Sequence, residues 1–177
     1  MKAIAAAISI MVLASTAAFA QSPYAGMQTR HIKALSSQQI DDLNAGRGMG
    51  LALAAELNGY PGPAHVLELS DRLGLSAGQK DQIQKLFDSM KAESTPIGAK
   101  LIEQEAALDL RFASRSITSD ALKDATAEIG STQAELRNTH LKYHLETAQI
   151  LSARQMHEYA TLRGYESDAP MQHHHTR

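Results

Sequence analysis

The stretch LSAGQ, at residues 75–79, has the sequence of a helix start. In this pattern the leucine packs in front of the helix, the serine caps it, and the glutamine at the third helical position reaches back to the cap. The same pattern recurs as LSSQQ at residues 35–39 and as LSARQ at residues 151–155. Three helices are therefore predicted to begin at these points, and two of them flank the long central part of the chain.

The central part of the chain is predicted to form two long helices. The first begins at Ser76 and runs toward Arg115, and its apolar residues, Met90 among them, recur at steps of three and four as one stripe of predicted core. A turn follows, and a second helix capped by Thr118 or Ser119 carries a near-heptad seam that needs a partner helix. No segment alternates with the period of a strand. The predicted class is all-α: an elongated antiparallel helical hairpin with short flanking helices.

The length of this hairpin bears on the predicted oligomeric state. About 38 residues with a rise of about 1.5 Å each make a rod of nearly 60 Å, which is longer than a compact domain of this size. An elongated hairpin exposes more of its apolar stripe than a globule does, and the commonest remedy is a symmetric dimer. Pro96 lies in the middle of the first long helix and is expected to bend it. We therefore expect a curved homodimer with a concave face.

The N-terminus has the organisation of a signal peptide. Lys2 provides the positive start, an apolar run follows, and AFA, ending at Ala20, is a small-x-small cleavage site. The apolar run is shorter than the roughly 20 residues that a membrane span needs. Residues 1–20 are therefore predicted to be a cleaved signal peptide of an exported, periplasmic protein whose mature chain begins near Gln21 and has no membrane span.

The remaining chain divides into three predicted parts. Residues 21–45 form a polar leader with a short helix, and residues 46–165 form the helical domain. Residues 166–177 form a polar tail that is predicted to be disordered. Three consecutive histidines in this tail either bind metal as a disordered tract or are adventitious.

Composition limits the kinds of partner and site. The formal net charge of −2 argues against a nucleic-acid partner, which would require a basic stripe. The chain contains no cysteine, so a metal site would have to use histidine, carboxylate or methionine. The sequence has neither a nucleophile elbow nor a strand framework, and no paired carboxylates lie in a plausible cleft. We therefore predict that the protein is not an enzyme.

Two histidines in the second long helix are candidate metal ligands. His140 and His144 lie four residues apart, so they project from one helix face with Cβ atoms about 5–6 Å apart, and both imidazoles can reach one cation. Two ligands alone do not make a metal site. The alternative is that both are polar residues at the edge of the seam, with His140 packed against Leu136 and His144 in solvent.

The paired motif resembles the hallmark of the Spy/CpxP superfamily of periplasmic proteins, a Leu-Thr-x-x-Gln motif that occurs twice. The superfamily includes the related heavy-metal resistance and sensor proteins of the ZraP and CnrX type. Serine replaces threonine here, and the motif positions are occupied by Leu75, Ser76 and Gln79 and by Leu151, Ser152 and Gln155. The resemblance covers roughly residues 46–165 and includes the stretch AELNGYPGPAHVLELSDRLGLS, which leads into the first motif.

This resemblance implies a four-helix fold that dimerises antiparallel into a cradle. Some members of the superfamily bind non-native proteins without ATP, and others sense or buffer divalent metal. The first functional expectation is thus an ATP-independent, chaperone-like protein that binds non-native periplasmic proteins and requires no cofactor. The alternative is a heavy-metal sensor or resistance protein that binds zinc, nickel, cobalt or copper. A third interpretation is a regulatory partner of a membrane sensor kinase.

The resemblance also implies a set of metal ligands. Sensors of this group place ligands on the helix before the first motif and on the last long helix. His140 and His144 match the second position, and His65 lies where the first begins. The usual second ligand, one turn after the first histidine, is replaced here by Leu69, and Glu68 is a possible substitute. A carboxylate that sensors carry on the first long helix is not evident.

Overall fold

The structure, a computed structural model, describes residues 23–165. The predicted signal peptide at residues 1–20 and the predicted tail at residues 166–177 lie outside the described residues, and both remain predictions. Within the described range, all regular secondary structure is helical. No helix of this range is long and apolar enough to cross a membrane.

Six α-helices and one short 3₁₀ turn make up the described part of the chain. The 3₁₀ turn at Met27–Thr29 comes first, and the helices are α1 (Ser37–Asn44), α2 (Leu53–Glu56), α3 (Pro63–Glu68), α4 (Ala77–Ala113), α5 (Ser119–Ile150) and α6 (Ala153–Arg163). The 37 residues of α4 span about 55 Å. A short turn reverses the chain, and α5 packs back along α4. The predicted all-α fold built on a long helical hairpin is confirmed, whereas the dimer remains a prediction.

The helix starts lie where the sequence predicts them. Ser36, Ser76 and Ser152 each form a complete capping box, in which the serine accepts from the third backbone N–H and the glutamine side chain accepts from the backbone N–H of the serine. Thr118 caps α5 by accepting from Ala121 N. These caps pair backbone groups that the first turn of a helix otherwise leaves without partners. Helix α4 continues through Pro96, so the proline does not end the helix.

The two motif glutamines also bind each other. Gln79 Nε2 donates to Gln155 Oε1 at 2.9 Å, and Gln155 Nε2 donates to Gln79 Oε1 at 3.1 Å. Each amide also donates to a backbone carbonyl, that of Ile150 for Gln79 and that of Leu73 for Gln155. We refer to the Gln79–Gln155 pair as the amide clasp. It joins the starts of α4 and α6 and closes the base of the hairpin.

The buried apolar residues form two clusters along the hairpin. The cluster at the base includes the two motif leucines and consists of Val66, Leu73, Leu75, Ile83, Leu151 and Tyr159. The second cluster lies farther along the hairpin and consists of Ile32, Leu35, Leu43, Leu101, Ile129 and Leu136. Helix α1 crosses α4 at Gly98, where a Cβ atom would lie only 2.5 Å from the Leu43 carbonyl oxygen. The segment before residue 46 therefore contributes to the core.

The amide clasp predicts that chemically equivalent glutamines contribute different amounts to the stability of the fold. Gln155→Ala removes the clasp, the bond to the Leu73 carbonyl and the capping box of α6, so we expect the free energy of unfolding to fall by about 2–3 kcal/mol. Gln39→Ala removes the capping box of α1 alone and should lower it by about 1 kcal/mol or less. Urea denaturation followed by circular dichroism measures both values. Equal losses in the two variants would contradict a tertiary role for the motif glutamines.

Candidate metal centre

Helix α5 directs His140 and His144 toward the chain segment that carries α2 and α3. Both imidazoles are buried, with exposed fractions of 2 % for His140 and 8 % for His144. They line a cavity of about 230 Å³, which we call the histidine cavity. Its polar and sulfur-containing lining residues are Glu56, His65, His140, His144, Arg163, Tyr165, Met49 and Met90.

The hydrogen bond of His144 defines its tautomer. Nδ1 lies 2.7 Å from the carbonyl oxygen of Tyr60, and because a carbonyl oxygen can only accept, Nδ1 carries the proton. The lone pair of a neutral imidazole is then on Nε2. Gly62 leaves this edge of the ring open, since a Cβ atom there would lie 2.7 Å from Nε2 and from Cε1. The local backbone thus holds His144 in the form that can bind a metal ion.

His140 is buried with an unpaired ring nitrogen. Among the described residues, its Nε2 atom has no hydrogen-bond partner. Burial lowers the pKa of His140, and the neighbouring His144 lowers it further. The imidazole is therefore neutral at pH 7, and the neutral form is the one that ligates metal ions. A buried polar atom without a partner costs stability, so it requires an explanation.

His65 lines the same cavity from its outer side. Its Nδ1 atom lies 2.9 Å from Glu68 Oε2; His65 is half-buried and Glu68 is exposed. Because an ionised carboxylate can only accept, Nδ1 donates and the Nε2 atom faces no described hydrogen-bond partner. A carboxylate behind a histidine commonly orients metal ligands in this way. Glu68 is therefore positioned behind His65 and is not among the residues that line the cavity.

The structure brings the three predicted histidines to one cavity but does not assemble them into a coordination sphere. Within residues 23–165, no group of three or more histidine, aspartate or glutamate side chains lies close enough to hold a metal ion. His140 and His144 are adjacent and buried, whereas His65 lies at the exposed side of the cavity. The three-histidine site remains a prediction.

Glu56 organises the cavity, and sequence reasoning missed it. Its buried carboxylate accepts hydrogen bonds from Gly62 N, from the Tyr159 hydroxyl and from the Tyr165 hydroxyl, and Arg163 Nε lies 3.7 Å away. Burial and this carboxylate raise the pKa of Tyr159, so its hydroxyl stays a donor. Glu56 therefore ties α6 to the loop that orients His144.

The sequence did contain signals for these residues. Glu56 is the one charged residue in the apolar stretch at residues 51–57, and an isolated charge in such a stretch is buried only with partners. Met90 was predicted to be core, and it is buried, but it also lines the cavity from α4. The carboxylate that lines the cavity comes from Glu56 on α2, and no carboxylate of α4 lines it.

A long helical hairpin closed at its base by short helices defines the Spy/CpxP-like class of all-α proteins. The chain belongs to the heavy-metal resistance family, whose family model matches residues 48–158, more than half of the chain. The resemblance inferred from the sequence is thereby confirmed. No curated protein and no solved structure matches the chain significantly.

The unpaired nitrogen of His140 predicts an unusual response to mutation. His140→Leu replaces a buried polar ring with an apolar side chain, so we expect the free energy of unfolding at pH 7, without metal, to stay unchanged or to rise by about 1 kcal/mol. Thermal and urea denaturation measure this difference. A loss of more than about 2 kcal/mol would instead indicate that the ring makes structural hydrogen bonds.

The same variant should alter the pH dependence of stability. Because burial lowers the pKa of folded His140 from 6.5, the unfolded chain takes up a proton first, and this residue lowers stability as pH falls below 6.5. Between about pH 7.5 and about pH 5.5, His140→Leu should therefore lose less stability than the wild type. His31→Gln, a change at an exposed position, is the control and should follow the wild type.

Proposed function

We propose that the protein binds a transition-metal ion in the histidine cavity and acts in heavy-metal sensing or resistance as a binding protein, not as an enzyme. The observation that carries this proposal is the buried pair His140 and His144. Nε2 of His140 has no hydrogen-bond partner among the described residues, and the bond from His144 Nδ1 to the Tyr60 carbonyl leaves Nε2 of His144 as the nitrogen that can bind an ion. Membership of the heavy-metal resistance family supports the same function.

The residues of the cavity fit such an ion. Neutral imidazoles suit zinc, nickel, cobalt and copper. His140 and His144 would hold the ion, and the Tyr60 carbonyl would keep His144 in the required tautomer. His65, oriented by Glu68, would be the third ligand from the outer side of the cavity. The bound ion would supply positive charge and, through its ligands, would link α5 to α3.

Metal binding would change the energetics of the base of the hairpin. The three histidines come from α3 and α5, which converge only in the folded chain, so a ligand that bridges them favours the folded state by mass action. Nδ1 of His144 would keep its proton and continue to donate it to the Tyr60 carbonyl, and the ion would become the missing partner of His140. A signal would thus consist of a tighter connection between α3 and the hairpin.

Calorimetry with zinc and with nickel tests this function. The full chain should bind with a Kd in the micromolar range or below. The His140→Ala/His144→Ala double variant should bind more than about 100-fold more weakly, since outer-shell changes alone cost about 10–100-fold. A His31→Ala/His157→Ala double variant removes the same number of imidazoles and should bind as the wild type does. Unchanged binding in the first double variant would refute the proposed site.

A second candidate function is chaperone-like binding of non-native periplasmic proteins by a homodimer, without ATP. The specific observation in its favour is a group of exposed apolar side chains near the hairpin turn, formed by Leu110, Phe112 and Leu122. We call this group the turn patch. Exposed apolar surface of this kind is suited to weak, reversible contact with apolar segments of other proteins.

The turn patch can be tested separately from the metal cavity. The full chain, at stoichiometric ratio, should suppress the aggregation of a chemically unfolded client as measured by light scattering. Leu110→Ser/Phe112→Ser should lose most of this effect. Leu145→Ser changes an exposed leucine elsewhere on the hairpin and should retain it. If the wild type does not suppress aggregation, the chaperone function is excluded.

A further inference from the structure

We infer that the histidine cavity selects a soft, singly charged ion, copper(I), through the thioethers of Met90 and Met49 beside His140 and His144. This inference rests on the proposed function, because it concerns the same cavity. It specifies the class of metal that the cavity prefers and adds two ligands that neither the sequence motif nor the family assigns.

The first argument is the supply of donor atoms. Only two imidazoles of the cavity are buried, whereas His65 is half-buried and its Nδ1 atom is bound to Glu68. Of the other lining residues, Met90 on α4 is 6 % exposed, and Met49 lies in the loop before α2. The chain has no cysteine, so thioethers are its only soft ligands. Thioether sulfur favours copper(I), whereas zinc and nickel bind well to nitrogen alone.

The second argument is the charge of the cavity. Glu56 is the one carboxylate among the lining residues, and its oxygens are already engaged by two tyrosine hydroxyls and by Gly62 N. Arg163 also lines the cavity and lies beside Glu56, so the lining has no net negative charge. The cost of burying an ion grows with the square of its charge, so it is roughly four times larger for a dication than for a monovalent ion of the same size. A neutral set of nitrogen and sulfur ligands therefore suits a monovalent ion.

The third argument is the backbone at Met49. This residue has a φ of 45°, in the left-handed region that a long side chain seldom adopts, and Gly50 follows with a φ of 84°. Such a conformation is strained and persists where the surrounding structure imposes it, often at ligand sites. The loop thereby holds Met49 at the opening of the cavity, where its side chain is exposed.

The two possible donor sets give opposite predictions for single substitutions. A set of His65, His140 and His144 binds zinc and does not depend on methionine. A set of His140, His144 and Met90, with Met49 at the opening, binds copper(I) and does not depend on His65. Substitution of methionine by leucine nearly conserves volume, so the cavity keeps its shape while it loses the sulfur.

The experiment is a pair of competition titrations on the full chain. Copper(I) affinity is measured under anaerobic, reducing conditions against the chromogenic chelator bicinchoninate, and zinc affinity is measured against a fluorescent chelator. Met90→Leu and Met49→Leu are compared with Met156→Leu, a matched change on α6 outside the cavity. We expect copper(I) affinity to fall about tenfold or more in Met90→Leu, less in Met49→Leu, and not in Met156→Leu. Zinc affinity should change by less than about twofold in all three.

X-ray absorption at the copper edge provides an independent readout. The wild type loaded with one equivalent of copper(I) should show sulfur scattering, and the Met90→Leu/Met49→Leu double variant should show nitrogen scattering alone. Circular dichroism checks that each variant is folded. If Met90→Leu does not fold, Met49→Leu, at an exposed loop position, still tests the role of sulfur.

The outcomes separate this inference from the proposed function. If copper(I) affinity is unchanged in the methionine variants but lost in His140→Ala/His144→Ala, the inference is wrong and the metal site stands. An equal loss of zinc and copper(I) affinity in Met90→Leu would also overturn it, because sulfur would then not be the cause. If neither metal binds the wild type, the proposed function itself fails.

Discussion

The hydrogen-bonded pair of Gln79 and Gln155 is the interaction on which the rest of this structure depends. It joins two helix starts that are 76 positions apart in the sequence. With the starts of α4 and α6 held together, α6 lies against the base cluster and Tyr159 reaches Glu56. The two amides satisfy each other and two backbone carbonyls. They can therefore be buried without the desolvation penalty that a single unpaired amide would carry.

Glu56 transmits this arrangement to the histidines. Its carboxylate accepts from Tyr159 on one side and from Gly62 N on the other, which fixes the loop whose Tyr60 carbonyl binds His144. Around the cavity, the fold leaves one fully buried ring nitrogen, His140 Nε2, without a partner among the described residues. Sites that are preorganised for a ligand commonly retain such a cost, because the missing partner is the ligand.

The sequence alone could predict those features that depend on neighbouring residues. The capping boxes at Ser36, Ser76 and Ser152 and the length of the hairpin follow from local chemistry and from the helical period, and the structure confirms them. Placement of His140 and His144 on one helix face followed from their spacing. Their burial did not, because it depends on the α2–α3 segment.

Other features could not be predicted, because their partners are distant in the chain. Glu56 binds hydroxyls 103 and 109 residues away, and its role is visible only once α6 is in place. Likewise, the apolar stripe identified Met90 as buried but not as a cavity residue, since periodicity defines a face and not what the face meets. The position of Met49 at the cavity depends on its positive φ, which has no signal in the sequence.

The most direct test of this account is a long-range ¹H–¹⁵N NMR spectrum of the histidine side chains in the ¹⁵N-labelled full chain, recorded before and after addition of one equivalent of metal. Without metal, His144 should be the Nδ1–H tautomer and His140 neutral. With metal, the Nε2 signals of both should move to the shifts of coordinated nitrogen while Nδ1 of His144 keeps its proton. Changes confined to other histidines, with His140 and His144 unaltered, would contradict the account.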